Sequence, residues 1–516
     1  MKAADLPLHY NMCEILEHNL VDRGDKTGLY SADGSLTFRE ISDQVNQIGN
    51  ALVRCGVGFG DCVAILSPDR PEWVTAFFAI AKIGGVALGM NTLLKTAEYD
   101  YILSDSRTRV LIVHESLLDA IQPVLANHTT LKHVILIGDA GETGLITFDD
   151  WIAGEDTVLE AERTHRDDFC SLHYSSGTTG MPKGVLHAHK DYPLIAQLSG
   201  VDLFGMTEDD RTFSVAKLFF VYGIGANLIF PWYVGASTVL HAGPPRQAAA
   251  VLKTIETYKP TILVSVPTVY GAILALPNFA ERFDLSSIRL CMSAGEPLPA
   301  QAWQAWKDAT GLEILDTIGC TETYHTFMAN KPGEIRPGSS GKPIGGYEVR
   351  LVDDDGNDVP AGEIGNLMVR GESTALSYLH QYEKSRHTFR GEWLFTGDQY
   401  VMDDDGYYWH QGRGDDMLKV GGLWVSPTEI ETVISSHDAV RECAVVGHND
   451  AAGLLKPKAF VCLAEGVAES DAVLGELLKL CAKQLDAYKR PRWVSFVDDL
   501  PRTATGKLQR FKLREH

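Results

Sequence analysis

The stretch Tyr174-Ser175-Ser176-Gly177-Thr178-Thr179-Gly180-Met181-Pro182-Lys183-Gly184 decides how the rest of the chain is interpreted. It combines four Ser or Thr hydroxyls, three glycines and one lysine, and it follows residues 168–173, which are predicted to form a short strand. Glycine lets backbone N–H groups approach an anion closely, hydroxyls add donors, and lysine adds a positive charge. The stretch is therefore predicted to be a phosphate-binding loop.

The loop is not a Walker A sequence, because Pro182 precedes Lys183 and Gly184 follows it. A lone loop of this composition is usually a surface turn, but the order of its residues and the motifs downstream favour phosphate binding. Residues 175–184 resemble the signature loop of the acyl-adenylate-forming superfamily, which includes acyl-CoA synthetases, adenylation domains and luciferases. The resemblance implies that the loop contacts ATP through Ser175, Ser176, Gly177, Thr178, Thr179, Gly180 and Lys183.

Composition restricts the class of protein. The chain has 516 residues, of which 45% are hydrophobic and 22% charged, enough for two or more globular domains. A net charge of −22 argues against nucleic-acid and anionic-membrane partners. The nine cysteines include no Cys-x-x-Cys pair, and residues 1–20 lack a long apolar run, so a cytoplasmic protein is expected.

Residues 218–236 are uncharged and long enough to cross a membrane. Gly223, Gly225, Asn227 and Pro231 interrupt the segment, and it stands alone in the chain. A buried helix that lines a pocket is the preferred interpretation.

The fold is predicted to be α/β. A large N-terminal domain of two βαβ-type sheet subdomains plus a small β subdomain is expected before a small mobile α+β C-terminal domain. Apolar runs such as Cys62–Leu66 and Leu290–Ser293 alternate with helical patterns such as Phe38–Cys55, which indicates parallel sheets. Glycines on both sides of Arg413 predict a boundary between residues 1–412 and 413–516, with a hinge at Asp415. The acidic runs 353–357 and 403–407 are interpreted as hairpin turns.

The second motif is Asp316-Thr317-Ile318-Gly319-Cys320-Thr321-Glu322-Thr323. Magnesium prefers hard oxygen ligands, and Glu322 fits the part of a single carboxylate ligand beside phosphate oxygens, while Thr321 can donate to a phosphate. Alone the string would suggest a surface turn, but beside the glycine-rich loop it resembles the second core motif of the superfamily. The resemblance implies nucleotide contacts for Gly295, Glu296, Asp316, Thr317 and Ile318, and a catalytic part for Thr321 and Glu322.

Two further motifs extend the resemblance towards the C-terminus. Asp398, in Thr396-Gly397-Asp398, matches the ribose-binding aspartate, and Arg413 matches an arginine that contacts the nucleotide. Lys507, in Thr503-Ala504-Thr505-Gly506-Lys507, matches the catalytic lysine, whose charge stabilises the bond that forms between carboxylate and α-phosphate.

The resemblance implies a reaction in two steps. A carboxylate attacks the α-phosphate of ATP to give an acyl-AMP and pyrophosphate. The C-terminal domain then turns about Asp415, and a thiol, expected to be coenzyme A, takes the acyl group as AMP leaves. Residues expected at the hinge and the thiol channel are Asp415, Lys419, Gly421, Gly422, Leu423 and Trp424.

The acid is expected to be aromatic, because residues 186–193, 216–223 and 339–343 resemble benzoate-CoA ligases and their ring-substituted relatives. The implied pocket consists of Phe220, Val221, Tyr222, Phe230, Ala294, Gly319, His325, Thr326 and Lys331. Val221 stands where simple benzoate ligases tend to have alanine, which favours a hydroxy- or aminobenzoate without ranking ring positions. Transfer to a carrier-protein thiol is the alternative, a non-catalytic nucleotide binder is a third reading, and a homodimer is an expectation of the family. His187-x-His189 lacks the third ligand that a metal site would need.

Overall fold

The computed structural model describes residues 1–175, 181–244, 247–420, 423–450, 454–502 and 508–514, with the side chains of residues 415, 419, 423 and 424 left out. It divides into two compact units. The first comprises Met1–Glu348 and Val369–Leu394, and the second comprises Val349–Met368 and Phe395–His516.

A seven-stranded sheet in the first unit carries the glycine-rich loop. Its strands, in spatial order, are Ile146–Thr147, His133–Ile137, Val110–His114, Cys62–Leu66, Val86–Gly89, Phe169–Ser175 and Lys183–Ala188. All neighbours are parallel except the last two strands, which pair antiparallel with Ser175 opposite Lys183. Every residue of Cys62–Leu66 is buried, as expected for a parallel strand covered on both faces.

A nine-stranded sheet in the same unit carries the second motif. Its strands, in spatial order, are Lys342–Pro343, Thr326–Ala329, Ile314–Gly319, Leu290–Ser293, Ile262–Ser265, Arg211–Ser214, Ser237–Val239, Thr27–Ser31 and Gly34–Thr37. The central pairs are parallel and the outer ones antiparallel. The parallel neighbours place the carboxyl ends of Leu290–Ser293 and Ile314–Gly319 side by side, where ligands bind in open α/β sheets.

Helices cover both sheets of the first unit. The α-helices are Glu14–Glu17, Asn19–Asp22, Phe38–Arg54, Pro71–Lys82, Thr96–Ser106, Glu115–Leu125, Phe148–Ile152, Asp191–Ile195, Val221–Ile224, Phe230–Tyr233, Ala248–Tyr258, Pro267–Leu274, Phe279–Arg282, Ala300–Thr310 and Tyr382–Thr388. Ala3–Asp5 and Thr321–Thr323 are 3₁₀-helices, and Ala196–Val201 and Gly225–Ile229 are π-helices. Helix Phe38–Arg54 begins where its pattern predicts because Thr37 and Glu40 form a capping box.

The segment that resembled a membrane span is folded into short helices. Residues 221–233 form an α-helical turn, a π-helix and a second α-helical turn, and most of their side chains are buried. Across the described ranges, no helix combines the length and the apolar character that crossing a membrane requires.

The second unit has its own core. A three-stranded sheet of Val440–Asn449, Leu455–Leu463 and Trp493–Phe496 packs with helices Pro427–Ser435 and Asp471–Gln484. Further elements are the strands Leu418–Val420 and Leu423–Val425, the 3₁₀-helix Gly414–Asp416 and the helix Arg510–Arg514.

The chain crosses from one unit to the other within the strands Tyr347–Val352, Ile364–Gly371 and Trp393–Met402. Two further strands are Phe389–Arg390 in the first unit and Tyr408–Arg413 in the second. Both acidic runs are turns, as predicted: Asp353 accepts hydrogen bonds from Asn357, and Asp403 accepts one from the Tyr407 N–H. The predicted hinge at Asp415 concerns motion and stays a prediction. The predicted boundary between residues 412 and 413 stays a prediction as well.

Candidate active site

A lysine, a tyrosine and a glutamate meet beside the glycine-rich loop. The Tyr378 hydroxyl donates to Glu322 Oε1 at 2.6 Å and accepts from Lys183 Nζ at 3.2 Å. Lys183 Nζ lies 3.5 Å from Glu322 Oε1 and 4.6 Å from the centre of the Tyr378 ring. The structure thus brings together Lys183 and Glu322, which the sequence assigned to two separate motifs.

The electrostatics keep Glu322 ionised. Burial acts to raise the pKa of this carboxyl, but the charge of Lys183 and the Tyr378 hydroxyl outweigh it, so its pKa lies below the usual value. The anionic carboxylate suits a divalent ion, and the lysine ammonium beside it suits triphosphate oxygens.

The 3₁₀-helix that holds Glu322 is fixed through its backbone. The Glu322 carbonyl accepts from the Ala375 N–H at 2.8 Å, and the Thr323 carbonyl accepts from Ser373 Oγ at 2.8 Å. The Thr321 carbonyl accepts from His187 Nε2 at 2.7 Å. Both ends of the turn are therefore anchored while the Glu322 carboxylate stays partly exposed at 13%.

Asp316 lies in the strand Ile314–Gly319, at the last position that pairs with the parallel neighbour, opposite Ser293. Burial raises the pKa of its carboxyl to about 8, and Asp316 Oδ1 is buried with no hydrogen-bond partner among the described residues. Thr317 beside it is buried and donates to the Ser293 carbonyl. An unsatisfied buried oxygen of this kind fits an N–H donor such as an adenine amino group.

An aromatic cluster centres on His325. Its ring centroid lies 4.7 Å from that of Phe230, edge to face, and 5.4 Å from that of Tyr222. His325 Nε2 is 3.2 Å from the Tyr222 carbonyl, and Nδ1 is 3.0 Å from Thr326 Oγ1. The structure therefore joins four predicted pocket residues in one cluster.

The protonation of His325 follows from its partners. Burial lowers the pKa of the ring to about 4, so the ring is neutral at pH 7. A carbonyl only accepts, so Nε2 carries the proton and Nδ1 accepts from the Thr326 hydroxyl. Thr326 Oγ1 then keeps a lone pair that can accept from a ligand.

Two glycines leave room for His325, Gly225 for its ring and Gly319 for its main chain. A Cβ on Gly225 would lie 2.4 Å from His325 Cδ2, and one on Gly319 would lie 2.3 Å from the His325 carbonyl oxygen. Both distances are shorter than real Cβ contacts, so these positions require glycine for packing.

The remaining predicted pocket residues are placed as follows. Phe220 and Val221 are partly buried at the start of a helical turn, and Ala294 is buried just after the strand Leu290–Ser293. The Lys331 side chain is exposed. Gly295 has a φ of +88°, and Glu296 beside it is partly buried.

In the second unit, Arg413 donates to Asp398 Oδ1 at 2.9 Å, and the strands that carry them pair in register. Burial acts to raise the pKa of Asp398, but Arg413 and His410 outweigh it and lower the pKa to about 2. The predicted ribose ligand is thus a carboxylate at any physiological pH.

The comparisons with known proteins agree with these motifs. Residues 16–379 match the family described as AMP-binding enzyme, and residues 429–507 match its C-terminal domain. The chain belongs to the AMP-binding enzyme family.

Relatives of this AMP-binding enzyme act on aryl acids. The chain is 43% identical to a benzoate–CoA ligase of Thauera aromatica, over 99% of this chain and 97% of the relative. It is 40% identical to a 4-hydroxybenzoate–CoA/benzoate–CoA ligase of Rhodopseudomonas palustris, over 99% and 95%. A solved structure of the anthranilate CoA ligase AuaEII with anthranoyl-AMP is 57% identical, with a TM-score of 0.96 over 100% of this chain and 98% of that one.

The predicted superfamily, fold class and enzyme class, an AMP-forming aryl acid:CoA ligase, are therefore confirmed. The individual site residues stay predictions. Several of them lie outside the described residues: Ser176, Gly177, Thr178, Thr179, Gly180, Gly421, Gly422 and Lys507. Asp415, Lys419, Leu423 and Trp424 are described only by their backbone.

Sequence reasoning did not single out Tyr378, nor the contacts of His187 in this AMP-binding enzyme. Tyr378 belongs to none of the motifs considered. His187 was considered within residues 186–193 and with His189 as a metal pair, but its ring contacts Asp191 and Thr321, while His189 Nδ1 accepts from the Met12 N–H. A histidine and an aspartate four residues apart after a strand were the available signal.

Proposed function

We propose that this ligase activates 2-aminobenzoate (anthranilate) in preference to benzoate, and transfers the aroyl group from its adenylate to the thiol of coenzyme A as AMP leaves. The observation that carries the proposal is the hydrogen-bond arrangement of His325. Both of its ring nitrogens are engaged, and the Tyr222 hydroxyl donates to the Ser265 carbonyl. The Thr326 hydroxyl, which bonds the imidazole directly, offers an acceptor lone pair to a substituent on the aromatic acid.

A ring substituent that donates a hydrogen bond suits this acceptor. An arylamine is uncharged at neutral pH and has N–H donors. Benzoate has no such donor, so it leaves the acceptor lone pair of the buried Thr326 hydroxyl unused. The rings of Tyr222 and Phe230 offer edge and face contacts to a planar acid. The 57% identity to an anthranilate CoA ligase supports the same acid.

Magnesium-bound ATP is the proposed second substrate. The anionic Glu322 would hold the ion, which neutralises phosphate charge when bound, and Lys183 would contact phosphate oxygens. Asp316 Oδ1 would accept from the adenine amino group. We assign the ribose to Asp398, the nucleotide to Arg413 and the charge at the reacting α-phosphate to Lys507, all on the resemblance of their motifs.

The test uses the purified full-length protein with MgATP and a panel of benzoate, the three aminobenzoates and the three hydroxybenzoates. Pyrophosphate release measures adenylation, and thioester formation is measured with coenzyme A and separately with a phosphopantetheinyl carrier protein. We expect the highest kcat/KM for 2-aminobenzoate, by about tenfold over benzoate. A higher value for benzoate would overturn the choice of acid, and activity with the carrier alone would overturn the choice of thiol.

A matched variant tests the acceptor itself. Thr326→Val keeps the volume and removes the lone pair, and it should lower kcat/KM for 2-aminobenzoate while leaving that for benzoate unchanged or higher. Equal losses for both acids would show that Thr326 does not contact the substituent.

A further inference from the structure

His187 lies on the strand that carries Lys183, and its side chain is fully buried. Its Nδ1 is 2.9 Å from Asp191 Oδ2, and its Nε2 is 2.7 Å from the Thr321 carbonyl oxygen. The ring therefore bridges a carboxylate on the following helix and the residue next to Glu322.

Both neighbours of the ring are acceptors. The Thr321 carbonyl can only accept, so Nε2 carries a proton. Asp191 Oδ2 also accepts from the Ala188 N–H at 2.9 Å, so this side chain is itself held in place where it contacts Nδ1. The ring is therefore fixed at one nitrogen by Asp191 and bonded through the other to the Thr321 carbonyl.

The other titratable groups around the ring are neutral. Burial and the neighbouring His187 lower the pKa of His173 to about 3, so that ring is uncharged. Tyr324 packs edge to face on His187, and burial keeps its hydroxyl protonated by raising its pKa. The Cys170 thiol, whose pKa burial also raises, donates to the His187 carbonyl. Asp191 is thus the one acidic side chain that accepts from the ring among the described groups in contact with it.

We propose that His187 is a positioning residue for the phosphate cluster: its hydrogen bond to the Thr321 carbonyl sets the separation between Lys183 and Glu322. This inference rests on the proposed use of MgATP at these two residues. Ala375 and Ser373 anchor the carbonyls of Glu322 and Thr323, but the His187 contact comes from the lysine-bearing strand itself. Asp191 supports that contact, because it holds the ring at Nδ1 and so keeps Nε2 directed at the carbonyl.

The consequence is specific to one half-reaction. Loss of the bridge frees the turn at Thr321, so Glu322 and Lys183 no longer keep the spacing that magnesium and phosphate oxygens need together. Thioester formation from a finished aryl-AMP involves neither pyrophosphate nor its metal ion, so it should be spared.

The experiment compares wild type with His187→Phe, which keeps a ring but has no donor, and with His187→Gln, whose amide can still donate to Thr321. Tyr192→Phe is the control, because it removes a buried hydroxyl bonded to Ser171 in the same aromatic cluster without touching His187. For His187→Phe we expect a rise of about tenfold or more in KM for MgATP and in the half-saturating magnesium concentration, which is the typical effect of losing a group that orients a ligand. Thioester formation from synthetic aryl-AMP should stay within about twofold of wild type, the Gln variant should recover part of the loss, and the control should keep its KM.

Calorimetric titration of MgATP into wild type and variants gives a second readout that does not depend on the acid. An unchanged dissociation constant and KM in His187→Phe would overturn the inference, and so would equal losses in both half-reactions with unchanged KM, which indicate a structural role. If His187→Phe does not fold, the same measurements on His187→Gln and Asp191→Asn decide whether His187 positions the phosphate cluster. A wild type that binds MgATP but adenylates no aryl acid would overturn the proposed function, and the titration would still decide the role of His187.

Discussion

The hydroxyl of Tyr378 lies between Lys183 and Glu322, and its removal is the most direct perturbation of the cluster. Tyr378→Phe deletes the donor at 2.6 Å from Glu322 Oε1 and the acceptor at 3.2 Å from Lys183 Nζ. The ring stays, so the ammonium keeps its contact 4.6 Å from the ring centre. Burial raises the pKa of this phenol, so the group removed is a protonated donor.

The magnitude follows from the type of bond. A hydrogen bond to a charged group contributes about 1.5–3 kcal/mol, which corresponds to a factor of about 10 to 150. Without the hydroxyl, the ammonium and the carboxylate, now 3.5 Å apart, can close into a direct pair that competes with magnesium and phosphate. We therefore expect KM for MgATP to rise and the adenylation rate to fall, with a combined loss within that factor.

The assay is continuous pyrophosphate release at saturating aryl acid over a range of MgATP concentrations. Tyr382→Phe is the matched control, because this tyrosine is 68% exposed and its hydroxyl accepts only a surface contact from Arg386 among the bonds described for it. An adenylation kcat/KM of Tyr378→Phe within twofold of the control would refute the assignment of the cluster to phosphate and magnesium.

The remaining predictions concern three other residues. Lys507→Ala should nearly abolish adenylation and affect thioester formation less, because its charge is needed while the anhydride bond forms; equal losses in separately measured half-reactions would contradict this. Asp398→Asn, which removes the charge paired with Arg413 at 2.9 Å, should raise KM for ATP by about tenfold with kcat less affected; an unchanged KM in steady-state kinetics would remove Asp398 from the nucleotide site. The folded pKa of His325, about 4, lies below the unfolded value of about 6.5, so the unfolded chain binds the extra proton and stability falls as pH drops through this window. Because of His325, the free energy of unfolding should be roughly 2 kcal/mol lower at pH 5 than at pH 7. Melting curves at both pH values should show a smaller pH effect in His325→Asn than in wild type. The same pH effect in both proteins would contradict this prediction.

The sequence specified local structure well where burial is complete. Cys62–Leu66 and Leu290–Ser293 were predicted with the bounds observed, because parallel strands covered on both faces are nearly continuous apolar runs. It did not specify the order of strands. Thr27–Ser31 pairs with Ser237–Val239 some two hundred residues later, and no local pattern records such a partner.

The candidate site could likewise be predicted only in part. Lys183 and Glu322 were found because each lies in a recognisable motif, whereas Tyr378 reaches them from a segment without one. The contacts of His187 could not be predicted either, because one of its two partners is a main-chain carbonyl 134 residues away.

The glycines at positions 225 and 319 restrict how this protein can change its acid in evolution or in the laboratory. Since neither tolerates even a methyl group beside His325, libraries that diversify them should yield mostly inactive clones. Adaptation to bulkier or smaller rings should therefore proceed through other predicted pocket residues, such as the partly buried Val221, while the imidazole stays fixed.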